Sequence, residues 1–392
     1  MMKIGYLTTY DPFDNSTWSR HNTGLNSAGY HLAKGFESQF IDLNYLGPLD
    51  KKTYLITRLK WLFYRRLKQQ DYYRWAEPFV LEDYASQISV KLANLDVDLI
   101  FCPENAIPIA ALKSQKPLVL CTDSTLAGLI DFYPWLNNLC SETKKNIYKL
   151  EKQALERCRL ILFPSEWAAR CAQEIYQLES NKIKVIPWGA NIDCDRTLDD
   201  IKISIDNRNR AVCKLLFLGV DWVRKGGDIA FQVAEELNKR GLKTELTIIG
   251  CQPKKDSDLP PFVNCLGFLK RNTELECQKF NQLISESHFL ILPSRAETYG
   301  HVFCEANSFG VPCLATDIAG IPTVIRPDYN GMTFSLDTNI SDYCDYIQKL
   351  MSNYDAYKKL AVNSYYEYQT RLNWSVTTQE ILQALESLIA SA

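Results

Sequence analysis

The chain has 392 residues, 46% hydrophobic and 23% charged, with a formal net charge of −2. That length is too great for one ordinary core and suits two domains of about 150 to 200 residues. The near-neutral balance excludes a generally basic nucleic-acid binder, so any charged ligand must be met by a local patch. Thirteen cysteines lie scattered from Cys102 to Cys344 with no C-x-x-C pair. That pattern fits buried thiols in a reducing compartment rather than disulfides or zinc. The sequence opens on KIGYLTTY without a basic segment and long apolar run, and no window holds 18 apolar residues. A cytoplasmic placement is therefore expected.

Along the first half, short apolar runs alternate with amphipathic stretches, as in βαβ units around a parallel sheet. Strands are expected over 3–8, 39–43, 98–103, 117–122, 160–164 and 184–187, and the clearest helical periodicity covers 141–158. The stretch 11–36 reads as a long loop after the first strand, on the side where an acceptor would lie. Residues 51–75 carry eight basic residues, one acid and many aromatics. Such a helix either packs its aromatic face on its own domain or lies as a peripheral contact on an anionic membrane. The DVD at 96–98 precedes its strand instead of ending it and reads as a turn, not a metal motif.

After Pro187 the texture changes, and the polar stretch 191–212 reads as a linker. The alternation restarts with strands expected over 214–219, 245–250, 262–267, 289–293 and 311–316. LILFPSEW and FLILPSRAE end alike, each running through Pro-Ser into a helix start. The expected fold class is α/β: two doubly wound, Rossmann-like domains facing an interdomain cleft. Their bounds are 1–190 and 213–370, with a C-terminal helix at 375–392 returning to the first. Ligands of such sheets bind at the carboxyl ends of the strands.

The stretch SRAETYGHVFCEANSFGVP (294–312) places Glu297 past a strand and Glu305 eight residues on, around a Tyr-Gly turn. A helix beginning near Tyr299 or Gly300, with Val302, Ala306 and Phe309 as its packing stripe, would aim free N–H groups at a phosphate. Gly300 has no side chain to obstruct that approach. Glu305 could accept ribose hydroxyls and Glu297 sugar hydroxyls; solvated glutamates on a helix are the plain alternative. In FLGVDWVRKGGDIAF (217–231), Arg224 and Lys225 stand before a helix expected near Gly226. There they would neutralise a leaving diphosphate, or simply sit in a surface loop.

Together these segments resemble retaining glycosyltransferases of family 4, which have the GT-B fold. AETYGHVFCEA resembles the family's E-x7-E motif, and FLGVDWVRKGG its strand-Gly-Arg-…-Lys-Gly loop. KVIPWGAN (184–191) and GIPTVI (320–325) resemble the segment closing the first domain and the turn after the motif helix. The resemblance covers roughly residues 95–335 well and the first 90 weakly. It implies that Tyr299, Gly300, His301 and Val302 meet the nucleotide diphosphate, Glu305 the ribose and Glu297 the donor sugar. Lys225 takes the place of the family lysine, and Gly219 that of the loop glycine. Thr23 and Gly24 would approach the diphosphate from the first domain.

Two departures stand out. The family arginine after the loop glycine is Val220 here, with Arg224 as the substitute. A histidine common after the fourth strand is replaced by Asp123, which either orients a hydroxyl or caps the next helix. Of the histidines His21, His31, His288 and His301, only His301 is expected in the site, and none makes a metal centre. The function implied is retaining transfer from a nucleotide sugar, UDP-linked before GDP-linked. The acceptor would be a hydroxyl of a glycan, lipid-linked or small-molecule acceptor, with no cofactor, no metal and no nucleic acid. A nucleotide-sugar epimerase of the same fold would turn over donor without acceptor, and a non-catalytic binder would not hydrolyse donor at all.

Overall fold

The computed structural model describes residues 2–18, 23–253, 259–269 and 273–390. It divides into two compact units, Met1–Trp188 with Trp374–Ala392, and Gly189–Asn373.

The first unit is built on six strands: β1 (Lys3–Tyr6), β2 (Asp42–Tyr45), β3 (Leu99–Cys102), β4 (Leu118–Cys121), β5 (Leu160–Phe163) and β6 (Ile183–Val185). They pair in parallel in the order β2-β1-β3-β4-β5-β6. Every residue of β3 and β4 is buried. Such continuous apolar strands are what helices on both faces of a parallel sheet require. Asp96 and Asp98, from the DVD turn, hold the start of β1 through the Lys3 ammonium and backbone N–H, both at 2.8 Å.

Two expectations in this unit are corrected. The second strand lies at 42–45 rather than 39–43, because Phe40 adopts φ 58° and spends the preceding residues on the turn that ends the helix Thr23–Ser38. That helix also replaces much of the loop expected over 11–36. It packs on the C-terminal helix Trp374–Ala390, where His31 stacks on Trp374 at 5.5 Å, and Thr377 donates to the Pro187 carbonyl at 2.8 Å. His21 and residues 19–22 lie outside the described residues.

The second unit repeats the plan with β7 (Cys213–Leu218), β8 (Thr244–Ile249), β9 (Val263–Gly267), β10 (Phe289–Leu292), β11 (Cys313–Thr316) and β12 (Gly331–Phe334). Their parallel order is β12-β11-β10-β7-β8-β9. The polar stretch expected as a linker is part of this unit. Thr197 and Asp200 form a reciprocal cap for a helix, Leu198–Asp206, whose Ile201 and Ile205 are buried. Those isoleucines stand four apart on one face, which is enough to dock an otherwise polar helix. Arg208, itself buried, donates to the carbonyls of Ser285, Phe309 and Gly310 at 2.9–3.0 Å and to the Tyr357 hydroxyl at 2.6 Å. All thirteen cysteines are free thiols, eight of them buried.

Candidate active site

The site grows from two loops of the second unit that leave adjacent strands, β7 and β10. After β7, the chain runs through Gly219 to Gly226, which caps the helix Gly227–Lys239. After β10, it runs through Pro293 and Glu297 to Gly300, which caps the helix His301–Asn307. The two loops touch. Gly226 adopts φ +74°, and a Cβ there would fall 2.0 Å from the Pro293 carbonyl oxygen. Only glycine meets both conditions. Arg295 fastens the same pair of loops, donating to the Val223 carbonyl at 2.6 Å and gripping Asp228 with two bonds of 2.8 and 2.7 Å. Its own N–H donates to the Arg224 carbonyl at 2.7 Å.

That contact brings Lys225, Arg224 and Glu297 together. The Lys225 ammonium donates to the Glu297 carboxylate, and both side chains are about nine-tenths buried. Arg224 lies 3.9 Å from the same carboxylate and donates to the Ala296 carbonyl at 2.8 Å. Burial alone would raise the Glu297 pKa, but the charges of Lys225 and Arg224 hold it below the usual carboxylate range. Burial draws the Lys225 ammonium down from its ordinary value, against the pull of Glu297. Lys225 and Arg224 thus share a single carboxylate. Gly219 serves the cluster by absence, since a Cβ would press on the Lys225 stem at 3.0 Å. Val220, at the position of the expected loop arginine, is exposed, and the loop's arginine is Arg224 four residues later.

Gly300 adopts φ +91°, where a Cβ would lie 2.5 Å from the Phe303 ring. The helix after it is short, and its buried face is Phe303, Cys304, Ala306 and Asn307, with Phe309 beyond its end. Val302, expected in the packing stripe, is only partly buried. Tyr299 is buried against the His301 ring at 5.6 Å. The His301 Nδ1 lies 3.0 Å from the Gly189 carbonyl oxygen, and burial lowers its pKa to about 4. The ring is therefore neutral near pH 7. Glu305 is buried in the helix's second turn.

In the first unit, Asp123 is half-buried just after β4. It is not the cap of the following helix, Leu126–Leu129. Thr125 caps it, accepting from the Gly128 N–H at 3.1 Å, while the buried Glu151 accepts the Leu126 and Ala127 N–H groups at 2.6 and 2.9 Å. Gly24 stands in the first turn of the helix Thr23–Ser38 rather than in a loop. Among the described residues, no cluster of histidine, cysteine, aspartate and glutamate could hold a metal ion.

Sequence reasoning missed Arg295 and Asp228. An arginine two residues past a strand-ending proline, with an aspartate in the first turn of the neighbouring helix, was the available signal. It became legible only once β7 and β10 were known to be adjacent.

Residues 213–353, most of the second unit, match the family model described as glycosyl transferases group 1. Over this part the chain is similar to that family. A curated relative, the D-inositol 3-phosphate glycosyltransferase of Nocardia farcinica, is 22% identical over 252 residues, covering 61% of this chain and 55% of the relative. The chain spans little more than half the length of the curated relatives it matches first. Among solved structures, sucrose-phosphate synthase from Thermosynechococcus elongatus superposes with a TM-score of 0.67 at 14% identity, covering all of both chains. HepE from Anabaena, solved with UDP-glucose, gives 0.62 at 16% identity over 99% of this chain and 100% of its own. At such identities the likeness is one of fold, and that fold is GT-B.

Proposed function

We propose that the chain is a retaining glycosyltransferase that moves a sugar from a nucleotide sugar to a hydroxyl acceptor. The observation that carries this is the buried cluster of Lys225, Arg224 and Glu297 beside the Gly300 turn, in a group 1 glycosyl transferase domain. Transfer requires negative charge to be stabilised on the departing nucleoside diphosphate, and preorganised cations in a water-poor site do this without reorganisation. Lys225 and Arg224 supply those cations, joined by N–H groups at Gly300 to Val302. Glu305 takes the ribose hydroxyls and Glu297 the hydroxyls of the donor sugar. His301, neutral and tied to Gly189, lines the same turn. The leaving phosphate takes the acceptor's proton, so no separate base and no metal is required.

UDP is the favoured nucleotide, with GDP second; HepE, a neighbour in fold, was solved with UDP-glucose. The acceptor is a glycan, a lipid-linked molecule or a small molecule, with Asp123 and Gly24 as the first unit's contributions. The free thiols support a cytoplasmic setting.

A thermal-shift panel of nucleoside diphosphates tests the reading. One of them should raise the melting temperature, and Lys225→Ala and Glu305→Ala should abolish the shift. Donor turnover should survive EDTA. Isomerised sugar without acceptor would mark an epimerase instead, and stabilisation without any donor hydrolysis or transfer a non-catalytic binder. No response to any nucleotide would overturn the proposal.

A further inference from the structure

The helix Leu55–Phe63 and the wide turn that continues it, Tyr64–Lys68, are built with their polarity reversed. The protein-facing side is polar and aromatic. Lys60 is bound to Glu77 at 2.9 Å and Glu142 at 2.6 Å, the Tyr64 hydroxyl reaches Glu142 at 3.1 Å, and Thr57 is buried. The outward side is apolar: Leu55, Ile56, Leu59, Phe63 and Leu67 are 73, 54, 56, 45 and 73% exposed. Four of these stand four residues apart. The Gln69 N–H to Tyr64 carbonyl bond spans five residues, and this wide turn keeps Leu67 in the same row. A row of exposed large apolar side chains on one short segment marks an interaction surface rather than scatter.

Charge decides what kind of surface. Arg58, Arg65, Arg66 and Lys68 are exposed around the row, and the segment 51–75 has eight basic residues and one acid in a chain of net charge −2. A cavity of ≈ 480 Å³ opens beside it, with the guanidinium groups of Arg65 and Arg74 on the Trp61 ring at 4.8 and 5.4 Å. An apolar stripe within a cationic border is complementary to an anionic bilayer, whose acyl region takes the former and whose phosphates take the latter.

We propose that this segment seats the protein on an anionic membrane surface, with Leu55, Ile56, Leu59, Phe63 and Leu67 in the bilayer and Arg58, Arg65, Arg66 and Lys68 at the headgroups. The contact is peripheral, since no helix among the described residues is long and apolar enough to cross a membrane. Lys60 and its two glutamates keep the stripe turned outward in the free protein, so seating requires no refolding. The inference stands apart from the proposed transfer chemistry, and the two fail separately.

The test is flotation of the full chain with phosphatidylcholine vesicles, with and without phosphatidylglycerol. Binding is expected only with the anionic lipid, and weakened by high salt. The triple variant Arg58→Gln, Arg66→Gln, Lys68→Gln should weaken it by about fivefold per charge, from about 1 kcal/mol for each basic residue at such a surface. Leu59→Asp with Leu67→Asp should abolish flotation while leaving the melting temperature and the turnover of a soluble donor unchanged. Hydrogen exchange on the unmodified chain gives a second readout, with vesicle protection expected over 55–68. No flotation, flotation indifferent to the aspartates, or vesicle-free dimerisation lost in the aspartate variant would each overturn the proposal.

Discussion

Glu297→Gln separates the two jobs assigned to the buried cluster. In the free protein this carboxylate neutralises Lys225 in direct contact and Arg224 at 3.9 Å. At that distance and an effective dielectric of about 20, the arginine attraction alone is about 4 kcal/mol. Removing the charge leaves two buried cations facing each other, and breaking a buried pair costs about 3 kcal/mol of stability. A diphosphate then meets cations with no competing anion. If about a third of the attraction is transferred to the ligand, UDP binding tightens by about tenfold, equivalent to about 1.4 kcal/mol. The amide also weakens the grip on the donor sugar, and turnover falls by about 10- to 100-fold, the loss expected for a charge-assisted hydrogen bond. Calorimetry with UDP, which lacks the sugar, reads the charge effect alone; GDP replaces it if the thermal-shift panel selects GDP. Affinity that stays level or drops in Glu297→Gln, with the variant folded, would refute the reasoning.

Gly226→Ala forces a side chain into a left-handed backbone against the Pro293 carbonyl. It should lower the second unit's stability by about 2–4 kcal/mol and nucleotide affinity with it, read by chemical denaturation and calorimetry. Arg295→Ala removes the clip between the loops and should weaken nucleotide binding while Lys225 and Glu297 remain; wild-type affinity would deny it a positioning role. Burial, then the charges of Arg208 and Lys214, lower the His288 pKa to about 3 from 6.5, and its Nδ1 accepts the Lys214 N–H at 3.0 Å. A depressed pKa means the unfolded chain takes the proton first. Stability contributed by His288 is thus full above pH 6.5 and falls on acidification by about 1.4 kcal/mol per pH unit. His301 acts in the same sense. Denaturation from pH 7 to 5 should show a shallower slope in His288→Gln, and an unchanged slope would contradict the assignment.

The parts of the fold legible in the sequence were those with local signatures. The buried strands at 99–102, 118–121, 160–163 and 289–292 are unbroken apolar runs, and their expected positions agree with the observed strands within one residue at each end. What failed depended on packing. The helix Leu198–Asp206 sits in a polar stretch, and only its two buried isoleucines show that it belongs to the second unit. The strand Gly331–Phe334 opens on a glycine and is mostly only partly buried, so it lacks the unbroken apolar run of the others, and it forms by pairing with β11. The motif order singled out Glu297, Lys225 and Arg224, which the structure brings together. Their contact depends on β7 and β10 lying side by side, which separation of 72 residues along the chain does not reveal. The outward leucines of 55–67 illustrate the opposite failure. Their spacing was readable, but which face points at the protein was settled by Lys60 with Glu77 and Glu142.

The most direct test of the central claim is a crystal structure with the nucleoside diphosphate that stabilises the protein. Phosphate oxygens should lie within hydrogen-bond distance of Lys225 Nζ and of N–H groups between Gly300 and Val302, with the ribose hydroxyls on the Glu305 carboxylate. A nucleotide bound elsewhere, with Lys225 and Glu297 still closed on each other, would contradict it.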